Sequence, residues 1–290
     1  MKIIVIGGSG LLGHKLVDYF KKEDYKVYAT YYSNLIEKPN YFNLNITKKN
    51  ECKKLLNKIK PDVIINCSAY TDVDGCEKNK KIAYSVNAIG TKNLAEYSEK
   101  ISAKLIYIST DYVFDGKKGL YKEDDIVNPV NYYGTTKLDG ESFVRDTCND
   151  FIIARTSVIF GFKKNNFALW CINNLKNKKN INIVTDQFIS PTLNTDLSEQ
   201  LISLIKKNAK GLFHTTGGER ISRYDFTTKL SEVFNYDNNL INPIKMNDIN
   251  WVAKRPIDSS LDVSKVSKFK KPYKVHEALE LLRRDMGGII

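Results

Sequence analysis

The sequence predicts an α/β protein with a doubly wound parallel sheet and a smaller C-terminal lobe. Three observations support this fold class. Short apolar runs alternate with helix-like segments in the first half, the runs are rich in Ile and Val with little polar alternation, and this rhythm fades after about residue 161. Uniformly apolar strands are typical of a parallel sheet covered on both faces, and alternating strands and helices are typical of doubly wound folds.

The elements of the first part follow from these apolar runs and the polar segments that bound them. The strand candidates are 2–7, 26–31, 41–46, 62–69, 104–110 and 151–159. Helix-like segments lie between them, near 11–22, 47–60, 77–101 and 133–148. Together the two sets predict a sheet with helices on both faces.

The second part is less regular. Helices are predicted for NNFALWCINNLKN, NTDLSEQLISLIKK, SRYDFTTKLSEVF and KVHEALELLRRD, a strand for GLFHTTG, and a loop-rich stretch for NPIKMNDINWVAKRPIDSSLD. We expect one domain over residues 1–161, to which the chain returns at about 184–207. Residues 162–290 are expected to form the smaller lobe, which closes over the carboxyl edge of the sheet.

Composition restricts the class of protein. The chain has 290 residues, 42% hydrophobic and 27% charged, which is typical of a globular protein with a substantial core. No apolar run reaches the roughly 18 residues of a membrane span, so no membrane partner is expected. No signal-peptide pattern precedes the first strand, and the five cysteines form no CxxC pair, which predicts a reduced cytoplasmic protein. The three isolated histidines predict no metal site.

The formal net charge of +12 raises the question of a nucleic-acid partner. The lysines are scattered along the chain, and aromatic residues do not interleave with basic ones. A solvated lysine-rich surface is the preferred interpretation, and no nucleic acid is expected as a partner. The same positive field would help to recruit a phosphorylated small molecule.

A glycine-rich turn follows the first strand. In IVIGGSGLLGHKL, Gly7, Gly10 and Gly13 form a GxxGxxG pattern between a strand and a helix. Glycine allows a tight turn and the close approach of a pyrophosphate, and the helix N-terminus adds N–H donors and a positive dipole. This context predicts a dinucleotide-binding, Rossmann-like domain.

The end of the second strand bears on the choice of cofactor. An acid that binds the adenosine 2′-hydroxyl of NAD is expected there, but the chain has Thr30, Tyr31, Tyr32 and Ser33. Without a negative charge the site can accept a 2′-phosphate, with the Thr30 and Ser33 hydroxyls as donors. NADP is therefore preferred, and NAD is the alternative.

The helix that begins near residue 132 carries the candidate catalytic pair. Tyr133 and Lys137 share one helix face, whereas Tyr132 points away from the lysine. A nearby ammonium would lower the tyrosine pKa, so Tyr133 is predicted to donate a proton to a substrate oxygen, and Lys137 to hold ribose hydroxyls as well. Thr110 ends the fifth strand at the sheet's carboxyl edge and would hydrogen-bond the same substrate oxygen.

Six segments, in order, resemble the dTDP-4-dehydrorhamnose reductase family of the extended short-chain dehydrogenase/reductase superfamily. They are PDVIINCSAYTDVDGCE, STDYVFDG, YKEDDIVNPVNYYGTTKLDGE, RTSVIFG, DQFISPT and RPIDSSLD. The resemblance implies NADPH- or NADH-dependent reduction of the 4-keto group of a nucleotide-linked deoxysugar, with dTDP-4-dehydro-L-rhamnose as the preferred substrate. The oligomeric state stays open, with a homodimer as one option.

The resemblance also implies site residues. Thr110, Tyr133 and Lys137 would be catalytic. The cofactor positions would be Gly10, Leu11 and Leu12 at the phosphates, Asn45 and Ile46 by the adenine, and Ala69, Tyr70 and Thr71 alongside. The substrate contacts would be Thr110, Asp111, Asn87, Val158 and Arg255.

A second function stays open. The methionine adenosyltransferase beta subunit, a regulatory protein, belongs to the same branch and lacks a tryptophan that the reductases usually have where Val158 stands here. Val158 therefore favours this alternative slightly. The intact set of Thr110, Tyr133 and Lys137 favours an enzyme.

Overall fold

The computed structural model of the chain describes residues 1–33 and 36–287. Its strands are β1 (Lys2–Ile6), β2 (Lys26–Tyr31), β3 (Tyr41–Asn43), β4 (Val63–Asn66), β5 (Lys104–Thr110), β6 (Phe151–Thr156), β7 (Ile159–Phe160), β8 (Ile181–Val184), β9 (Phe188–Ile189), β10 (Thr192–Leu193), β11 (Gly211–His214), β12 (Ile221–Ser222) and β13 (Ile241–Ile244). Its helices are α1 (Leu11–Lys22), α2 (Lys49–Ile59), α3 (Val73–Lys78), α4 (Lys80–Tyr84), α5 (Gly90–Lys100), α6 (Tyr132–Thr147), α7 (Phe167–Lys176), α8 (Asn194–Lys206), α9 (Arg223–Phe234), α10 (Ser264–Ser267) and α11 (Val275–Asp285).

The central sheet confirms the predicted doubly wound class. Within the described residues, seven parallel strands lie in the order β11–β6–β5–β4–β1–β2–β3. Every residue of β4 and β5 is buried, because helices cover both faces. The strand order reverses between β1 and β4, which opens a crevice at their carboxyl ends, and ligands of such sheets bind in this crevice.

Apolar cores lie on both faces of the sheet and in the C-terminal lobe. One face packs on α1 and α8, through side chains such as Leu16 and Leu201. The opposite face packs on α2, α5 and α6, through Leu56, Leu94 and Val144 among others. A further core joins α7, α9 and α11. Burial of these side chains is the main favourable contribution to folding.

The chain returns to the sheet after residue 161. Helix α8, within the range expected to return, packs in the core that it shares with α1. Strand β11 lies beyond that range, and its His214 pairs with Arg155 of β6. The sheet therefore also includes a strand from beyond the range predicted to return. The division of the chain into two domains stays a prediction.

Two segments differ from the sequence-based expectation. The helix predicted over 77–101 is interrupted, because Asn79 has non-helical backbone angles and Ser85–Ile89 forms a π-helical turn. The stretch predicted to be loop-rich contains β13, which pairs in parallel with β8. Asn242 and Pro243 in this strand are exposed, so its apolar pattern is too weak to indicate a strand.

Candidate active site

The glycine turn opens the crevice beside β1. Gly7 has φ +78°, and a side chain would be strained there. Its N–H donates to Thr30 Oγ1 at 3.0 Å, and Gly10 N donates to the Gly7 carbonyl at 3.0 Å. A Cβ atom on Gly13 would clash with that same carbonyl, so glycine is required for helix α1 to pack against the turn. The N-terminus of α1 therefore faces the crevice with its free N–H groups.

A cavity of about 680 Å³, referred to as the first cavity, lies beside this turn. It is lined by Ile6, Gly7, Ser9, Gly10, Thr30, Tyr31, Tyr32, Ser33, Leu44, Asn45, Ile46, Thr47, Cys67, Ser68, Ala69, Lys81, Ile82, Ser85 and Val86. The predicted cofactor residues among them are Gly7, Gly10, Thr30, Ser33, Asn45, Ile46 and Ala69. The shape, the glycine turn and the helix terminus fit a dinucleotide.

Other predicted cofactor residues lie outside this lining. Leu12 is buried in the core, and Leu11 lines a separate cavity with His14. Gly13, Tyr70 and Thr71 also lie outside it. Their predicted contacts with the cofactor stay predictions, and for Leu12 only the backbone can serve because its side chain is in the core.

The sequence did not indicate several residues of the lining. Lys81, Ile82, Ser85 and Val86 come from α4 and the π-helical turn, where no motif marks them. Among the described residues that line this cavity, Lys81 is the only basic one. The described lining residues at the end of β2 include no carboxylate, in agreement with the sequence there. The Thr30 hydroxyl, however, is 1% exposed and braces the Gly7 amide, so it is less free to bind a phosphate than predicted.

Helix α6 carries both residues of the predicted catalytic pair, Tyr133 and Lys137. Asn131 caps the helix by accepting from Gly134 N at 2.9 Å. Lys137 is 2% exposed, and its Nζ donates to the Ile108 carbonyl at 2.7 Å and lies 4.1 Å from the centre of the Tyr107 ring. Burial lowers the pKa of Lys137 to about 7.

The predicted direction of the Tyr133 pKa is wrong for this structure. Burial raises the pKa of Tyr133 above its ordinary value, although a hydrogen bond with Thr110 acts in the opposite direction. Lys137 does not offset the effect of burial, because its amine points to the Ile108 carbonyl and its own pKa is close to neutrality. The phenol is therefore kept protonated, which is the form required of a proton donor.

Thr110 and Asp111 lie at the carboxyl end of β5, but they are not equivalent. The Thr110 hydroxyl donates to Asp111 Oδ1 at 2.9 Å and accepts from Tyr112 N at 3.2 Å. Asp111 is 2% exposed, and its Oδ2 accepts from Ser157 at 2.8 Å and Ser259 at 2.6 Å. Both carboxylate oxygens of Asp111 bind neighbouring hydroxyls, and its predicted contact with the sugar stays a prediction.

Asn87 is buried and braces the segment after β4, and its predicted contact with substrate stays a prediction. Its side chain is fully buried. Its Oδ1 accepts from Tyr70 N at 2.8 Å, and its Nδ2 donates to the Tyr70 carbonyl at 3.1 Å and to Thr136 Oγ1 at 3.0 Å. The side chain thus fixes the segment after β4 against helix α6.

Tyr112 interacts with both Tyr133 and Arg223, and Arg223 lines a second cavity. The rings of Tyr112 and Tyr133 meet edge to face with centres 6.0 Å apart. Burial raises the pKa of Tyr112, and the positive charge of Arg223 opposes that rise. Arg223 also donates to Gln187 Oε1 at 2.6 Å and stacks over the Phe167 ring at 4.8 Å. Tyr112 and Arg223 were not predicted from the sequence.

The second cavity has a volume of about 280 Å³. It is lined by Phe167, Trp170, Asn182, Ile183, Val184, Gln187, Arg223, Ile249, Trp251 and Arg255. Arg255, a predicted substrate contact, lies here over the Trp251 ring and pairs with Asp74 at 3.0 Å.

Val158, also a predicted substrate contact, lies outside the linings of both cavities. It has φ +38°, which is strained for a β-branched residue, and it packs against the core of the C-terminal lobe.

The described residues lack two kinds of feature. No helix there has both the length and the apolar composition to cross a membrane. No group of three or more His, Cys, Asp or Glu side chains in this part of the chain is arranged to hold a metal ion.

Comparisons with known proteins agree with this geometry. The family model described as "RmlD substrate binding domain" matches residues 1–285. The dTDP-4-dehydrorhamnose reductase of Aggregatibacter actinomycetemcomitans is 34% identical over 278 residues, which cover 91% of this chain and 92% of that protein. Methionine adenosyltransferase 2 subunit beta of Xenopus tropicalis is 30% identical over 296 residues, covering 94% of this chain and 85% of that protein.

A solved structure is similar over almost the whole chain. It is dTDP-4-dehydrorhamnose reductase from Bacillus anthracis in complex with NADP, with a TM-score of 0.90, 33% identity and coverage of 98% of this chain and 99% of that one. The chain therefore belongs to the RmlD substrate binding domain family, and its resemblance to the dTDP-4-dehydrorhamnose reductases is confirmed.

Proposed function

We propose that the protein is an NADPH-dependent oxidoreductase that reduces the 4-keto group of a nucleotide-linked deoxysugar, with dTDP-4-dehydro-L-rhamnose as the substrate. The observation that carries this proposal is the position of Tyr133. Burial keeps its phenol protonated, the Thr110 hydroxyl at the carboxyl end of β5 acts on its pKa, and its helix also carries buried Lys137. This supports Tyr133 as the proton donor at the carboxyl edge of the sheet.

The cofactor proposal depends on the first cavity. Gly7 and Gly10 form a turn whose backbone a pyrophosphate can approach, and the α1 terminus supplies N–H donors. The lining at the end of β2 has no acid to repel a 2′-phosphate, which favours NADP over NAD. When bound, NADPH would supply the hydride to the keto carbon.

The protein's own part in the reaction is to orient the substrate and to hold a proton. Tyr133 would donate the proton of its phenol oxygen to the keto oxygen as negative charge develops there. Thr110 would orient that phenol through their hydrogen bond. Lys137, which is buried beside them, would bind ribose hydroxyls of the cofactor in its charged form.

The second cavity supports a nucleotide-linked substrate. Its aromatic side chains, Phe167, Trp170 and Trp251, offer surfaces on which a base can stack. Arg223 and Arg255 supply fixed positive charge for a diphosphate. Because Tyr112 interacts with both Tyr133 and Arg223 of this cavity, a substrate held by its nucleotide here could present its sugar to the phenol.

Oxidation of NADPH, followed at 340 nm with dTDP-4-dehydro-L-rhamnose, tests the proposal. Tyr133→Phe should lower kcat by roughly 10²- to 10⁴-fold, the usual size of general acid catalysis. Tyr132→Phe is the matched control, because that neighbouring phenol lies on another side of α6, and it should keep wild-type kcat. Undiminished turnover by Tyr133→Phe would remove the mechanism, and no turnover by the wild type would remove the function.

A regulatory role is the second candidate. It is favoured by the similarity to methionine adenosyltransferase 2 subunit beta, which extends over 94% of this chain. In that case the protein would bind NADPH without oxidising it and would co-purify with a methionine adenosyltransferase. A sugar-nucleotide panel that gives no turnover, together with such a complex, would favour it over the reductase. The cytoplasmic location and the homodimer stay predictions.

A further inference from the structure

A buried cluster of one carboxylate and three hydroxyls lies at the carboxyl edge of the central sheet. It consists of Thr110, Asp111, Ser157 and Ser259, and we refer to it as the Asp111 cluster. Thr110 donates to Oδ1 at 2.9 Å, and Ser157 and Ser259 donate to Oδ2 at 2.8 and 2.6 Å. The cluster joins the ends of β5 and β6 to the segment before α10.

The hydroxyls are the side-chain partners of this carboxylate. The four side chains are between 0% and 5% exposed, and no Lys, Arg or His in the described part of the chain pairs with Asp111. A buried carboxylate is costly unless hydrogen bonds satisfy it. Removal of one hydroxyl therefore leaves an oxygen underbonded and allows the carboxylate to move.

Movement of the carboxylate would release Thr110. A hydroxyl has one proton, and when Thr110 donates it to Asp111 its lone pairs must face elsewhere. Tyr112 N donates to that oxygen at 3.2 Å, and the same hydroxyl acts on the pKa of the Tyr133 phenol. Asp111 thus fixes the rotation of the Thr110 hydroxyl.

We propose that Ser259 and Ser157 are positioning residues, which set the orientation of the Thr110 hydroxyl through Asp111. This inference rests on the proposed function, because it assigns both serines to the step in which Tyr133 gives up its proton. Ser259 has further importance, since it lies close in sequence to Arg255 of the second cavity. The segment that contains Arg255 and Ser259, which would bind the nucleotide, would thus also hold the carboxyl end of β5 in place.

The neighbouring Ser260 provides a matched control. It is equally buried, but it donates to Asp258 at 2.6 Å and accepts from Leu120 N, away from Asp111. Ser259→Ala and Ser260→Ala each lose a buried hydrogen bond, so both should lower Tm. Only Ser259→Ala should lower kcat, by roughly 10- to 100-fold as expected for a misplaced catalytic group. Its Kd for NADPH, measured by fluorescence, should be unchanged.

A double-mutant cycle separates positioning from general damage to the fold. If Ser259 acts through Thr110, then Ser259→Ala should have no further effect on kcat in a Thr110→Ala background. Additive losses, or equal losses of kcat in Ser259→Ala and Ser260→Ala, would overturn the proposal. If Ser259→Ala does not fold, Ser157→Ala reaches the same carboxylate from β6 and is subject to the same criteria. Turnover by the wild type in parallel shows whether the function or the inference has failed.

Discussion

Glu141 and Arg155 form a bidentate ion pair beneath the catalytic edge. Nε and Nη2 of Arg155 donate at 2.8 Å to the two carboxylate oxygens of Glu141, and the two side chains are 1% and 0% exposed. Ser109, next to Thr110, donates to the same carboxylate at 2.6 Å. The pair therefore fixes β5 and β6 to α6 at the level of the catalytic residues.

Removal of one charge from this pair should be strongly destabilising. Glu141→Gln leaves the Arg155 guanidinium buried without a counter-ion, and the free energy of unfolding should fall by about 3–5 kcal/mol. Urea denaturation measures the change. The control is Lys15→Ala, which breaks an ion pair with exposed Asp285 and should cost under about 1 kcal/mol. A similar small loss in both variants would contradict the prediction.

Loss of Asn87 should weaken cofactor binding more than the chemical step. Asn87→Ala removes the side-chain partner of the part-buried Tyr70 N–H and one of the two partners of the Tyr70 carbonyl, which also accepts from Cys76 Sγ, and the neighbouring Ala69 lines the first cavity. We expect the Kd for NADPH to rise by roughly tenfold, since an unsatisfied buried group costs about 1–3 kcal/mol. Ser98→Ala serves as control, because its hydroxyl bonds Ala95 away from the cavity. An unchanged Kd in Asn87→Ala would refute this role.

Asp196 should make stability fall as pH rises from about 4 to about 6. Burial raises the pKa of Asp196 from 3.8 to about 6, so between these values the folded state keeps a proton that the unfolded state releases. Below pH 4 the stabilisation is fully present, and above pH 6 it is lost. The difference corresponds to up to about 3 kcal/mol.

Asp196→Asn tests this linkage. Its amide carries no charge and can still accept from Tyr273 N through Oδ1. Urea denaturation should find the variant more stable than the wild type at pH 8, with the advantage shrinking at pH 4.5. Asp285→Asn, at an exposed carboxylate, should show little change at either pH. A variant less stable than the wild type at pH 8 would count against the assignment.

Lys137 should set the alkaline limb of the pH profile. Burial lowers the pKa of Lys137 to about 7, so its ammonium is lost as pH rises through neutrality. If the charged form binds the cofactor ribose, kcat/KM for NADPH should decline above about pH 7. Lys137→Met should be slow and should lack this decline. The same limb in Lys137→Met would assign the ionisation to another group.

Local chemistry explains which features the sequence could predict. The glycine turn and the Tyr133–Lys137 face are fixed by spacing within a few residues, and both lie where the pattern places them. Spacing does not reveal the burial that raises the pKa of Tyr133, nor the hydrogen bond that Lys137 donates to the Ile108 carbonyl. Asn87 was predicted to contact substrate from the family resemblance. Its burial and its bonds to Tyr70 arise from tertiary packing, which the sequence does not reveal.

The residues of the second cavity also could not be predicted from the sequence pattern. Phe167, Arg223 and Trp251 come from separate segments of the C-terminal lobe, and no motif relates them. They meet because α7, α9 and the residues after β13 fold around one core. Only Arg255 was predicted here, since it belongs to a segment that resembles the family.

The ends of the central sheet restrict how copies of this protein can associate. One outer strand, β11, has four residues, and the other, β3, has three. Such short edges expose few unpaired backbone groups, so strand-to-strand addition of a second chain, including runaway aggregation by that route, is disfavoured. A symmetric pair would have to be built from helices and loops, where side chains rather than main-chain ladders determine partner choice.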